Sequence, residues 1–567
     1  MNRLTFLLLF YSRIILLPAQ EMGFVSPVNI PMELTGNFGE LRQNHFHAGI
    51  DIRTNGATGL PVSSIADGFI SRISVSPSGY GKALYVTHPN GYTSVYAHLE
   101  HFMPEIESWV REQQYRSQSF GLNLYPDSGL FPVKKGERIG FSGNSGSSGG
   151  PHLHFEIRDT RSEHPVNPLR LDYHIKDTRA PVSKNLIVYP LDDESSIEGS
   201  DTKILFPLVL ADGAYRIKGK TALRGWGKLG FGFEAIDYFD ANWSSCGIYR
   251  AELWIDGEMI HSFRFDELNY NEMRYINSHI DYEERILQKR YVHKTFLDPG
   301  NHLSVYEKSR YSDGYTFDDE QTHEVRIVLT DISGNNSKLL FTIVPEKNGV
   351  KAKRTERKGL LPYDRENRIE KKDLVLTLPS GALYTDLDFL YEVSEGRTGT
   401  FSKMHQLHSP LTPLHRKCSL SIKADHLSET LADRALIAHY DPDLNRYNSV
   451  GGTYEQGWVH AETDRFGTYC ILVDTINPSI IPLSIKDKNS LTENNRIRFR
   501  IKDQLSGIER YSGYLDGEWV LFEYDPKNNL ITYWFDNRMK KGIQHTLRLQ
   551  VEDGKGNQAE YSASFYY

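Results

Sequence analysis

Between residues 22 and 172, apolar side chains recur in short alternating runs broken by Gly, Pro and Asn, the period of β-strands rather than helices. Ala83 to His88, then Pro89-Asn90-Gly91, then Tyr92 to His98 predicts a hairpin whose turn is favoured by Asn-Gly. Only Pro104 to Gln114 (PEIESWVREQQ) has helical spacing, and it opens a turn-rich insert at 102–132. Ile106, Trp109 and Val110 share one side of that helix, so the insert is expected to be able to lie over a neighbouring groove as a lid. Gly143 to Pro151 (GNSGSSGGP) predicts a loop. It lacks the Gly-Lys-Ser/Thr ending of a phosphate-binding loop, which argues against nucleotide binding.

Further along, two regions repeat one another. FGFEAIDYFDANWSSCGIYRAELWIDGE (231–258) parallels FRIKDQLSGIERYSGYLDGE (499–518), with Gly-Ile-x-Arg followed by Asp-Gly-Glu at the same spacing. Each ends in an alternating strand and a turn, at 325–336 and 547–557. Strands punctuated by Asp-Gly turns in this way predict Ig-like β-sandwiches over 180–346 and 476–567. The basic run KAKRTERK (351–358) marks an expected linker at 347–372, and 373–475 reads as a β-rich domain of a fold the pattern does not name. The expected fold class is therefore mostly β, a β-rich N-terminal domain over 21–172 followed by Ig-like sandwiches. At 567 residues the chain is too long for one core in any case.

At the N-terminus, Arg3 precedes an apolar stretch from Leu4 to Leu17, and Pro18-Ala19-Gln20 offers a cleavage zone. That layout is expected of a signal peptide at 1–20, which gives an extracytoplasmic location, periplasm or cell envelope. No later segment is apolar enough to span a bilayer. Cys246, Cys418 and Cys470 form no C-x-x-C pair; Cys418 and Cys470 share one expected domain, where a disulfide and two buried thiols are both open. A net charge of −8 offers no bulk attraction for nucleic acid or anionic membrane.

Three segments carry the candidate chemistry: NHFHAGIDI with His47 and Asp51, SVYAHLE with His98, and GPHLHFEIRD with His152 and His154. Residues two apart on a strand face the same side, so His152 and His154 can point into one site. Gly49 and the flanking Ile50 and Ile52 place His47 and Asp51 on a turn entering a strand. A catalytic zinc takes about three nitrogen or oxygen ligands and keeps a position for water. Four histidines and an aspartate supply three ligands and two groups that can carry protons. His45 reads as a hydrogen-bonded structural histidine and His88, beside the turn, as an exposed one.

These segments resemble the lysostaphin-type (LytM-like, M23) zinc metallopeptidases over residues 36–172. The resemblance rests on GNFGELR (36–42), His47-Ala48-Gly49-Ile50-Asp51, GLPVSSIADGFIS (59–71), Tyr96-Ala97-His98-Leu99, VKKGERIGFSGNSG (133–146), Gly150 to Glu156 and Pro165-Val166-Asn167-Pro168. It implies one zinc ion per chain bound by His47, Asp51 and His154, with His98 and His152 in proton transfer and oxyanion stabilisation. It implies a β-rich groove with the metal at its floor and the peptide stems or cross-links of peptidoglycan as substrate. Some members carry a tyrosine just before the first ligand; Gly36 to His47 has none, and Arg42 is its permanent cation, a candidate substrate contact or salt bridge. The alternative to an enzyme is a non-catalytic module that binds peptidoglycan or activates another hydrolase. Degenerate members of that kind usually lack a ligand or a catalytic histidine, and this chain keeps all five positions. The C-terminal β domains are expected to dock an envelope partner.

Overall fold

The computed structural model describes residues 23–171, 173, 175–241, 243–347 and 359–567; the expected signal peptide and the basic run at 351–358 lie outside the described residues. The chain is mostly β. No helix among the described residues is long and apolar enough to cross a membrane.

The N-terminal sheet is antiparallel and runs in the order Leu34–Gly36, Ile50–Arg53, His152–Asp159, Tyr92–Phe102, Lys82–Thr87, Gly68–Val75, Pro132–Val133. Alternation divides its faces. Leu84, Val86, Tyr96 and Phe155 enter the main core, while Ala83, Tyr85, Val95 and Ala97 form a small apolar floor on the other side. Functional side chains project from that floor.

The helix of the insert, Pro104–Ser117, forms as expected but does not act as a lid. Ile106 and Val110 are buried in the main core, and Trp109 lies edge-on to Phe131 at 5.6 Å. Its apolar stripe is consumed by the domain's own core, and no insert residue is among those lining the groove described below. The last turn of the helix faces the C-terminal domain instead, with the Tyr115 hydroxyl donating to Asp536 at 2.6 Å.

Three further cores follow. The stretch read as linker to residue 372 is structured from 359 onward, because Asn367–Lys371 pairs with Leu374–Leu378 and buries Ile369. With one apolar residue inside the strand, its periodicity was invisible. Cys418 and Cys470 are buried free thiols in separate clusters, so they cannot pair.

The first two cores interlock. Phe38, Leu41, Phe46 and Ala48 belong to the core of the second domain, packed with Phe263, Phe265 and Ile327, whereas Phe239 and Cys246 of the second domain belong to the first core. The Phe46 and Phe265 rings lie 5.4 Å apart. Gly39, at φ 79°, lets the loop turn against Phe265, since a Cβ there would sit 2.5 Å from the Phe265 ring. Full burial contributes about 1.5–3 kcal/mol for each such Phe. The 36–48 loop is therefore fixed by the second domain.

Candidate metal centre

Strand register brings the predicted residues together. His154 stands opposite Asp51 on one side and Ala97 on the other. His152 is two residues earlier on the same strand and so on the same face. His98 needs a different device. Tyr96 and Leu99 both enter the main core although they are three apart, which strict alternation forbids. The pairing with Lys82–Thr87 slips here, and His98 has φ 60°. The extra residue of this bulge turns His98 onto the groove face, where its ring is 4.8 Å from that of His152.

His47 Nε2, Asp51 Oδ1 and His154 Nδ1 lie 2.9–3.1 Å from one another. The far nitrogens decide their tautomers. His47 Nδ1 donates to the Asn37 carbonyl at 2.8 Å, and His154 Nε2 donates to Glu156 at 2.8 Å. Two imidazole lone pairs and a carboxylate oxygen thus face one point, an arrangement that repels itself unless a cation or proton sits there. Zinc with ligands at about 2.0–2.2 Å places neighbouring ligand atoms about 3.3 Å apart in a tetrahedron, and the three donors fit that ion. His152 Nδ1 donates to Gly150 O at 2.8 Å and His98 Nδ1 to Ser145 O at 2.9 Å, which leaves each Nε2 with a free lone pair. His152 Nε2 is 3.4 Å from Asp51 Oδ1.

Electrostatics agree with this arrangement. Burial, reinforced by the other histidines, pulls the His98 pKa down to about 3 and keeps it neutral. For His154 burial opposes the charge, but hydrogen bonds to Asp51 and Glu156 outweigh it and raise the pKa to about 9. A metal cation would take the place of that proton.

Residues 45–115 and 131–168 match peptidase family M23, and residues 358–474 match the Zu5-like domain. The N-terminal domain belongs to family M23. Curated relatives of the M23 domain include the DD-carboxypeptidase/endopeptidase Mpg of Neisseria meningitidis serogroup B, 37% identical over 22% of this chain and 22% of that protein. The murein hydrolase activator NlpD of Escherichia coli is 34% identical over 22% of this chain and 25% of its own length. The chain thus spans about a quarter or less of these relatives. A solved zinc-containing peptidase from Vibrio cholerae aligns at 27% identity over 26% of this chain and 39% of that chain, with a TM-score of 0.19.

The M23 domain surrounds its candidate ligands with groups that sequence reasoning did not single out. Glu156, fully buried, accepts from His154, from the Tyr80 hydroxyl at 2.5 Å, from the Tyr270 hydroxyl at 2.9 Å and from Arg158 at 2.7 Å. Asn37 accepts from His47 and is itself held on both sides by Gly247, N to Oδ1 at 2.8 Å and Nδ2 to O at 2.7 Å. Tyr270 and Gly247 come from the second domain, so no local motif could have announced them. Glu156 was visible two residues beyond His154, on the same strand face.

A groove of about 640 Å³ opens over the centre, and its walls include Arg42, Tyr80, His98, Tyr270 and Met273. Arg42 donates to Asp51 Oδ2 at 2.7 Å and pairs with Glu40 at 3.5 Å, so its guanidinium first serves the candidate ligand Asp51. His45 bonds Gln43 O at 2.8 Å beside the groove. The expectation for His88 fails: it is buried between Asp67 O and Ser94 Oγ, because the chain folds back over it before the turn.

Proposed function

We propose that this chain is a secreted zinc endopeptidase that hydrolyses peptide cross-links or stems of peptidoglycan, held by His47, Asp51 and His154 around one zinc ion. The observation that carries the proposal is the placement of His98 and His152, their rings 4.8 Å apart, beside the three converging donors. A module that only activates another hydrolase has no need of two further imidazoles beside those donors. Zinc held there by His47, Asp51 and His154 would supply Lewis acidity toward a bound water and the scissile carbonyl. His152 Nε2 accepts the proton of the attacking water and passes it to the leaving amine. His98, kept neutral by burial, holds the far side of the reacting carbonyl. Arg42 steadies Asp51 and borders the substrate. The similarity to Mpg, named as a DD-carboxypeptidase and endopeptidase, supports a peptidoglycan peptide as substrate and the cell envelope as location.

The similarity to NlpD favours the second possibility, activation of another hydrolase. Purified peptidoglycan digested with the protein, its fragments read by mass spectrometry, separates the two. New amine termini are expected from the protein alone; fragments released solely in the presence of a second hydrolase would overturn the enzyme. His152→Ala and His98→Ala should each keep zinc and lose activity by roughly 100-fold or more. Loss of zinc from His152→Ala with retention in His154→Ala would reverse the two roles.

A further inference from the structure

A second group of donors lies away from the groove. Asp177, Asp237 and Asp331 each offer an oxygen within 4.8 Å of the others. Asp237 and Asp331 are both 1% exposed. Asp331 is satisfied by Asn335, through its backbone N–H at 2.8 Å and its side-chain amide at 2.8 Å. Asp237 is not, for its buried Oδ1 has no hydrogen-bond partner, and neither has Asp177 Oδ2. A buried carboxylate without a partner is costly unless a cation meets it. Burial first, then Asp331 and Asp177, push the Asp237 pKa up to about 7. Arg179 offsets a part of this, with its guanidinium over the Trp243 ring at 4.0 Å.

The C-terminal sandwich provides an internal comparison. Asp177-Thr178-x-x-Pro181 recurs as Asp474-Thr475-x-x-Pro478, Asp237 corresponds to Asp503, and Asp331 with Asn335 corresponds to Asp553 with Asn557. Asp474, Asp503 and Asp553 also converge. There the charge is met from within the protein. Asp503 Oδ2 accepts from the backbone of Leu505 and Gly507 and Asp474 Oδ2 from that of Ser506, while the Lys555 ammonium donates to Gly452 O at 2.7 Å. The residue in the place of Lys555 in the first copy is Ser333. The same scaffold thus answers its carboxylates with backbone donors in one copy and leaves an oxygen unanswered in the other.

We propose that Asp177, Asp237 and Asp331 bind a divalent cation of the hard, oxygen-preferring class, calcium, which pins the connection after the M23 domain to the second domain. Three carboxylates with no nitrogen or sulfur donor select calcium over zinc, and calcium's loose coordination lets solvent complete the shell. Ser333, two residues after Asp331, lines a cleft of about 190 Å³. The bound ion would also brace the first site. Asp237 pairs with Cys246 through both backbone groups, and the next residue, Gly247, holds Asn37 against His47.

The test is calorimetric titration of the zinc-loaded full chain with calcium chloride at pH 8. One equivalent is expected to bind with Kd of about 10⁻⁴–10⁻³ M or tighter, the range of extracellular calcium modules. Asp237→Asn, close to isosteric, should weaken it at least tenfold, and so should Asp177→Asn at the partly exposed edge. Asp503→Asn should leave it unchanged, which separates this site from the repeat's second copy. Without calcium, Asp237→Asn should melt above the parent, since a buried charge is gone; with saturating calcium the order should invert. No calcium binding by the parent, or equal binding by the parent and both Asn variants, would overturn the proposal.

Discussion

Asp51→Ala is expected to empty the zinc site almost completely. Asp51 is the one anionic member of the candidate donor set, with Oδ1 3.1 Å from His47 Nε2 and 2.9 Å from His154 Nδ1. Its other oxygen takes the Arg42 guanidinium at 2.7 Å. Removing it leaves two imidazoles as the remaining donors, with the Arg42 guanidinium beside them held only by Glu40, too few donors for a catalytic zinc. Elemental analysis should show near-stoichiometric zinc in the parent and about a tenth of that or less in the variant. Arg42→Ala keeps all three ligands but frees Asp51 to turn. It is expected to weaken zinc by about 10–100-fold, the usual scale for a partner of a ligand. Retention of full zinc by a folded Asp51→Ala protein would remove Asp51 from the ligand set.

The second large effect concerns the seam between the first two domains. A chain ended after residue 171 should fail to bind zinc tightly, although it contains all five candidate site residues. Phe38, Leu41, Phe46 and Ala48 would lose the second domain's core, Asn37 would lose Gly247, and Glu156 would lose Tyr270. In the intact chain, Phe46→Ala should cost about 3–5 kcal/mol, as for other buried Phe truncations, and zinc affinity should fall with it. Phe522→Ala, buried in the last domain, should destabilise that domain and leave the zinc content as it was. Unfolding followed by tryptophan fluorescence, with zinc measured in parallel, checks both. A fragment of residues 23–171 with the parent's zinc affinity would show that the shared core is dispensable.

Much of the site is legible in the sequence because it is written locally. Strand parity puts His152 and His154 on one face, and Asn90-Gly91 sets the hairpin that carries His98 alongside. What sequence could not supply is whatever depends on partners far along the chain. Phe38 lies in a turn and Phe46 in a two-residue strand, and nothing in their spacing says that they pack in one core with Phe263 and Phe265. The His98 bulge is a one-residue slip against Lys82–Thr87 that leaves no compositional trace. The insert misled for a related reason: an apolar stripe on a helix shows that it packs, but not on which surface. The three aspartates near the second domain's start are separated by 60 and 94 residues, so only the fold reveals them as one group.

The shared core also sets an order of events. Phe46 is made early, yet its ring partners Phe265 and His279 follow roughly 220–230 residues later. Long-range contacts of this kind are slow to form and cannot begin until both partners exist. During synthesis at about 5–20 residues per second, the M23 segment therefore waits tens of seconds before its loop can be seated. A nascent or truncated chain would carry the motif without its seated loop, so maturation of the M23 domain is timed by the completion of its neighbour.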